Sequence, residues 1–232
     1  AEGLIKVHPL GPLPVKGFRE PLQLFEIVGH TSARTRWEVT AARGLTQFVS
    51  RDVELETLRD AMRSAAKGQG NLVGVVGEPG TGKSRLVHEF LQSPEASGWT
   101  VLKTATASYT RNTPYLAFSN LIRTWFEISE QANPADIDQR LRAKISTFGE
   151  DLTSALPAIH SLLDLPVHDA GWLALEPAAR RQKILAIAKS LILRAAAMQP
   201  LLLWFEDMQW TDAETRALIE GIAEEIETSQ LL

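Results

Sequence analysis

Apolar positions recur along this chain with three different rhythms, and each predicts a different kind of element. Between residues 4 and 28, LIKVHPLGPLPVKGFREPLQLFEIV alternates in short runs broken by Gly11, Pro12, Pro14, Gly17 and Pro21. That pattern predicts two or three short strands joined by tight turns. From residue 53 the rhythm becomes helical. Val53, Leu55, Leu58, Met62 and Ala65 form one stripe, with Ser50 placed to cap its start and Gly68 to stop it. Later helical stripes are Tyr115, Phe118, Leu121, Ile122 and Trp125 after Thr113 and Pro114, and Ile137, Leu141 and Ile145 between Asn133 and Gly149. A helical piece broken by Pro157 is expected over 151–165, a long helix over 177–198, and a last one over 211–227 with Thr211 as its cap. The third rhythm is strand-like: NLVGVV (71–76), a stretch of strand composition over 98–108, and PLLLWF (200–205). Strands of this kind, alternating with helices, predict a buried parallel sheet. Residues 29–47 carry Arg34, Arg36 and Arg43 among small polar residues and read as a connector.

Composition narrows this picture rather than redirecting it. The chain has 232 residues, 44% of them hydrophobic, which is enough for a sizeable core. A formal net charge of −4 gives no global footprint for nucleic acid or an anionic membrane surface. The absence of cysteine excludes disulfides and thiolate metal sites and fits a reducing compartment. No apolar run reaches membrane-spanning length, so a cytoplasmic location is expected, with neither nucleic acid nor membrane as partner.

The chemistry concentrates in GEPGTGKS, residues 77–84, between the strand-like NLVGVV and the helical RLVHEFLQ. Gly77, Gly80 and Gly82 let the backbone turn its amides inward without Cβ clashes, and the following helix aims its positive end at an anion. Lys83 adds a compact positive charge for the outer phosphates, and Ser84 offers a hydroxyl to Mg²⁺. The stretch matches the phosphate-binding P-loop pattern in full, in the strand-then-helix context that pattern needs. A Gly-rich turn with an incidental lysine would explain none of that context. Gly77, Glu78, Pro79, Gly80, Thr81, Gly82, Lys83, Ser84 and Arg85 are therefore the expected phosphate-binding residues.

A P-loop needs acids at the end of a neighbouring strand to hold Mg²⁺ and orient a water. The run Leu201–Phe205 ends in Glu206 and Asp207, which would emerge at the C-terminal edge of a parallel sheet. His88 and His160 have no second ligand at metal spacing and are read as packing or surface residues. Trp125, Trp172, Trp204 and Trp210 are read as core and interface anchors rather than a base-stacking platform.

GEPGTGKS together with PLLLWFEDMQWTD resembles the AAA-like, STAND-type P-loop NTPases, and FVSRDVELETL resembles that family's Phe-Val-Gly-Arg opening motif. The resemblance implies Phe48, Val49 and Arg51 near the adenine, Ser84 and Glu206 on Mg²⁺, and Asp207 near the metal as the residue that activates water. Ser50 stands where that family usually has Gly, and Gln209 where it often has His. Arg180 and Arg181 resemble a paired arginine of relatives, though the first turns of a solvated helix explain them equally. Separately, Leu10, Gly11, Lys16, Gly17, Pro21 and Phe25 resemble the closing strands of a class III adenylate or guanylate cyclase domain, none of whose metal-binding aspartates is present.

The expected fold is thus α/β. It consists of a P-loop parallel sheet flanked by helices, a helical insertion at about 114–175 and a small N-terminal β appendage. Residues 1–28 are expected to be a cyclase remnant, 29–47 a linker, and 48–232 an NTPase domain whose sensor strand and lid would lie beyond Leu232. The expected function is ATP binding and slow hydrolysis, with ATP or ADP and Mg²⁺ as cofactors, in a cyclase-linked signalling protein. The intramolecular partners implied are the cyclase and helical-repeat domains. The alternatives are a non-catalytic nucleotide-gated scaffold and the NTPase module of a transcriptional regulator; KGFREP and the lack of a helix-turn-helix pattern argue against the latter.

Overall fold

The computed structural model describes residues 5–18, 20–30, 44–45, 47–106, 113–129 and 131–232. The arginine-rich connector with Arg34, Arg36 and Arg43 lies outside the described residues. The chain divides into two compact units, residues 1–51 and 52–232.

In the first unit, β1 (Ile5–Leu13) and β2 (Leu22–His30) form an antiparallel hairpin. Two nine-residue strands thus replace the two or three short ones expected, because the ladder tolerates the Gly/Pro interruptions through irregular register between Lys6 and Val7 and between Pro9 and Gly11. Gly17, at φ +98°, takes the third position of the turn closed by Phe18 N–H to Val15 O at 3.1 Å, a place that favours glycine.

The second unit opens with α1 (Asp52–Ala66), which buries Leu55, Leu58, Met62 and Ala65, while Val53 in its first turn is exposed. Its C-terminus is closed by Gly68 N–H to Ala65 O (2.9 Å) and Gln69 N–H to Ser64 O (3.2 Å), with Gly68 in the left-handed region. Then follow α2 (Lys83–Leu91), β3 (Thr100–Ala105), α3 (Leu116–Trp125), α4 (Pro134–Ser146), α5 (Leu156–Leu162), α6 (Ala170–Leu173), α7 (Pro177–Met198), β4 (Leu201–Glu206) and α8 (Ala213–Ala223). Among the described residues, no helix is long and apolar enough to cross a membrane.

β3 and β4 run parallel in continuous register from Thr100↔Leu201 to Ala105↔Glu206. Leu231 makes a further parallel bridge to Leu201 on the other edge of β4. The main core joins the helices expected as an insertion to this sheet. Phe118, Leu121 and Ile122 of α3, Leu141 and Ile145 of α4, Leu191 and Ile192 of α7, Leu201 of β4 and Leu218 of α8 belong to one buried cluster.

The parallel sheet is smaller than the sequence predicts. Residues 71–76 form no strand, and Leu72 and Val76 are 66% and 95% exposed. The reason lies in the ladder. Asn71 N–H bonds Leu231 O at 3.0 Å, and the pairing goes no further along this edge. Among the described residues, none exchanges backbone hydrogen bonds with residues 72–76. Without a ladder an apolar run has nothing to hold it in strand geometry.

Candidate functional site

The loop from Gly77 to Gly82 is shaped by its glycines. Gly80 and Gly82 take φ values of +83° and +87°, and a Cβ on Gly77 would lie 3.0 Å from Thr81 Oγ1. Thr81 closes the turn, its hydroxyl donating to Glu78 O at 2.8 Å. Gly82 is the N-cap of α2, and no side chain caps that helix, so its positive end faces the loop. Lys83 begins α2 and curls back, its Nζ donating to Gly77 O at 2.8 Å and Glu78 O at 2.9 Å. Glu78 and Pro79 are exposed, and Arg85 pairs along the helix with Glu89 Oε1 at 2.7 Å.

Across the site, β4 ends at Glu206, whose Oε1 accepts a short hydrogen bond from Ser84 Oγ. A hydroxyl and a carboxylate 122 positions apart are thereby brought together. Asp207 follows as an exposed residue in the left-handed region, at φ 58° and ψ 42°. Its Oδ1 accepts from Gln209 Nε2 at 3.2 Å, so the residue that departs from the usual histidine touches the second acid.

The sequence expects this loop and these acids to share a site; the Ser84 to Glu206 contact links the loop to the first acid, while the Asp207 carboxylate bonds Gln209. Phe48, Val49 and Arg51 belong to the first unit, where Val49 is exposed. Ser50 beside them has φ 60°, a backbone region that favours the glycine it replaces.

A few residues beyond the acids, Asp212 ties helix ends together, a role the sequence did not single out. The cap of α8 is Asp212, not Thr211. Asp212 is buried, and its Oδ1 accepts from Glu214 N–H (3.1 Å), Thr215 N–H (2.9 Å) and Tyr115 N–H (3.0 Å). That last bond explains why α3 begins at Leu116 rather than at Pro114: Tyr115 is held at φ 59° by a carboxylate 97 positions away. Burial pushes the Tyr115 phenol above its ordinary range, and the Glu214 carboxylate acts in the same direction. Arg181 pairs with Glu214 at 3.2 Å, while Arg180 donates to Leu173 O at 2.7 Å. The paired arginines therefore brace helix ends. A helix cap could have been found from Asp212 with Thr215 three positions on; nothing in the sequence pointed from Asp212 to Tyr115.

The family model for the AAA ATPase domain matches residues 47–232. The chain belongs to the AAA ATPase domain family. Searches among curated proteins and among solved structures give no match. The AAA ATPase domain is a nucleotide-binding P-loop NTPase of the α/β class, and members of the family generally bind ATP or ADP with Mg²⁺. The residues present fit that ion. Among the described residues no cluster of three or more acids and histidines could hold a metal, yet Mg²⁺ commonly takes one or two carboxylates and completes its shell with water and phosphate. Ser84 with Glu206 is a donor set of that kind.

Proposed function

We propose that this AAA ATPase domain binds Mg-ATP at the 77–84 loop and hydrolyses it slowly, as a regulatory module of a cyclase-linked signalling protein. The observation that carries the nucleotide assignment is the Ser84 hydroxyl on the Glu206 carboxylate, which unites the loop with the end of β4. When bound, Mg²⁺ would neutralise phosphate charge and template the leaving group. Ser84 and Glu206 would hold it, with Asp207 beside them. Lys83 would exchange its two carbonyl contacts for the β and γ phosphates, and the amides of the loop and of the first turn of α2 would bind phosphate oxygens. Asp207 would accept a hydrogen bond from the attacking water and turn its lone pair toward the γ phosphorus. Phe48, Val49 and Arg51 would flank the base.

The cyclase linkage is supported by the resemblance of Leu10, Gly11, Lys16, Gly17, Pro21 and Phe25 to the closing strands of a cyclase domain, a stretch in which β1 and β2 pair as a hairpin. On this reading residues 1–28 are the end of a cyclase domain, 29–47 a linker and 48–232 the NTPase domain. Its partners are the neighbouring cyclase and helical-repeat domains in a cytoplasmic protein. Calorimetry and phosphate release test the core of the proposal. Lys83→Ala should weaken Mg-ATP binding; Asp207→Asn should keep binding and stop turnover; Glu206→Gln should mainly raise the Mg²⁺ requirement. Equal affinity of wild type and Lys83→Ala sinks the phosphate assignment. Binding with no turnover in the wild type favours a nucleotide-gated scaffold.

A further inference from the structure

We propose that Thr106 is a positioning residue that sets the backbone on which both acids are carried; the proposal rests on the hydrolytic reading above. Thr106 directly follows β3 and is 7% exposed. Its N–H donates to Glu206 O at 3.1 Å, extending the parallel ladder by one step. Its hydroxyl lies 2.6 Å from Asp207 O and 3.2 Å from Glu206 O. A hydroxyl has one proton, and the shorter contact takes it. One buried residue thus binds the carbonyls of both acids, one through its amide and the other through its side chain.

The consequence falls on Asp207. Its carbonyl also accepts from Trp210 N–H at 2.9 Å, so two donors from different directions fix the peptide that follows it. Fixing that peptide holds ψ at 42° with φ at 58°, a conformation uncommon for a residue other than glycine. The chain turns from extended to left-handed in one step at this point. That turn separates the direction of the Glu206 side chain, toward Ser84, from that of Asp207, toward Gln209. Among the described residues the hydrogen bonds of Thr106 run to Glu206 and Asp207 and to none of residues 77–82, so it acts through the backbone of the acids.

The test compares Thr106→Val, which keeps the shape and deletes the proton, with Thr106→Ser, which keeps the hydroxyl. Turnover at saturating ATP, ADP affinity by calorimetry and the ¹³Cα and ¹³Cβ shifts of Asp207 are read on the full chain, with Asp207→Asn in parallel. Thr106→Val should lower turnover by ~10-fold or more while ADP affinity stays within ~2-fold, since a displaced catalytic group costs rate rather than ground-state binding. It should also move the Asp207 shifts away from left-handed values, and Thr106→Ser should restore both. Unchanged turnover in Thr106→Val, or a serine variant as slow as the valine one, overturns the proposal. If wild type and Asp207→Asn release phosphate equally, the hydrolytic reading has failed, and the Asp207 shifts alone decide: left-handed values retained in Thr106→Val overturn the positioning role. Thr106→Ala, read the same way, serves if the valine chain does not fold.

Discussion

Asp212→Ala should destabilise the second unit far more than its position on a surface helix would suggest. Asp212 is 6% exposed, and its carboxylate satisfies three backbone donors through Oδ1. Its Oδ2 accepts from the hydroxyl of Thr215, a residue with no exposed surface, at 2.7 Å. Alanine removes a helix cap, worth about 1 kcal/mol. It also leaves the Tyr115 N–H without its acceptor, at about 1–3 kcal/mol for a buried unsatisfied donor. The two together give roughly 2–4 kcal/mol, which for a chain of this size lowers Tm by about 5–15 °C. Asp212→Asn retains the Oδ1 acceptor, and the Thr215 hydroxyl can rotate to accept from the new amide, so its loss should be about 1 kcal/mol or less. Thermal unfolding followed by circular dichroism or calorimetry separates the two. If alanine and asparagine are equally damaging, or if alanine shifts Tm by less than ~2 °C, the clasp between α3 and α8 does not contribute as argued.

Two other consequences are open to measurement. Ser50→Gly should raise Tm by roughly 1–3 °C, because glycine relieves a left-handed backbone at φ 60° while adding less unfolded-state entropy than that relief is worth; a fall in Tm would contradict this. Burial holds the His160 imidazole below its ordinary 6.5, against the pull of Asp138, whose Oδ1 lies 3.0 Å from Nε2, while Arg142 and His168 oppose protonation. The unfolded chain therefore takes up this proton first, and stability should fall as pH drops below 6.5 until folded His160 itself protonates. The neighbouring Asp138 carboxyl, held below its usual range chiefly by the Arg142 guanidinium, stays charged there and adds no slope. His160→Gln should flatten the urea midpoint on the acid side of 6.5, and an unchanged slope would discount the histidine.

What could be read from the sequence was whatever a residue type enforces locally. Gly80 and Gly82 specify a backbone that only glycine adopts freely, so their spacing announces a loop shape. Leu201–Phe205 followed by two acids announces a buried strand that surfaces at its C-terminal end, and Leu55, Leu58 and Met62 announce the buried face of α1. What could not be read depends on partners far along the chain. The composition of residues 71–76 fits a buried strand but carries no information about whether a neighbour pairs with it. Thr211 and Asp212 are both competent caps, and the choice is made by where the short turn Met208–Trp210 releases the chain. Tyr115 in a left-handed conformation contradicts its own propensity and is held there by Asp212.

An aspartate, rather than the longer glutamate more common in such motifs, follows Glu206. A longer side chain would bring a carboxylate further into the site, which from chemistry alone favours glutamate. The backbone at Asp207 weighs the other way. At φ 58° and ψ 42° a Cβ crowds the following carbonyl, and aspartate and asparagine tolerate this better than longer side chains because their short polar groups bond locally. Here that local bond is visible in Gln209 Nε2 on Oδ1, two residues on. Residue type at position 207 is thus set by conformation as well as by chemistry. It follows that Asp207→Glu would alter backbone strain and reach together, whereas Asp207→Asn keeps the left-handed tolerance, the side-chain length and an oxygen for Gln209. A loss of turnover in the asparagine variant, with binding retained, would therefore report the missing charge and not a rebuilt loop.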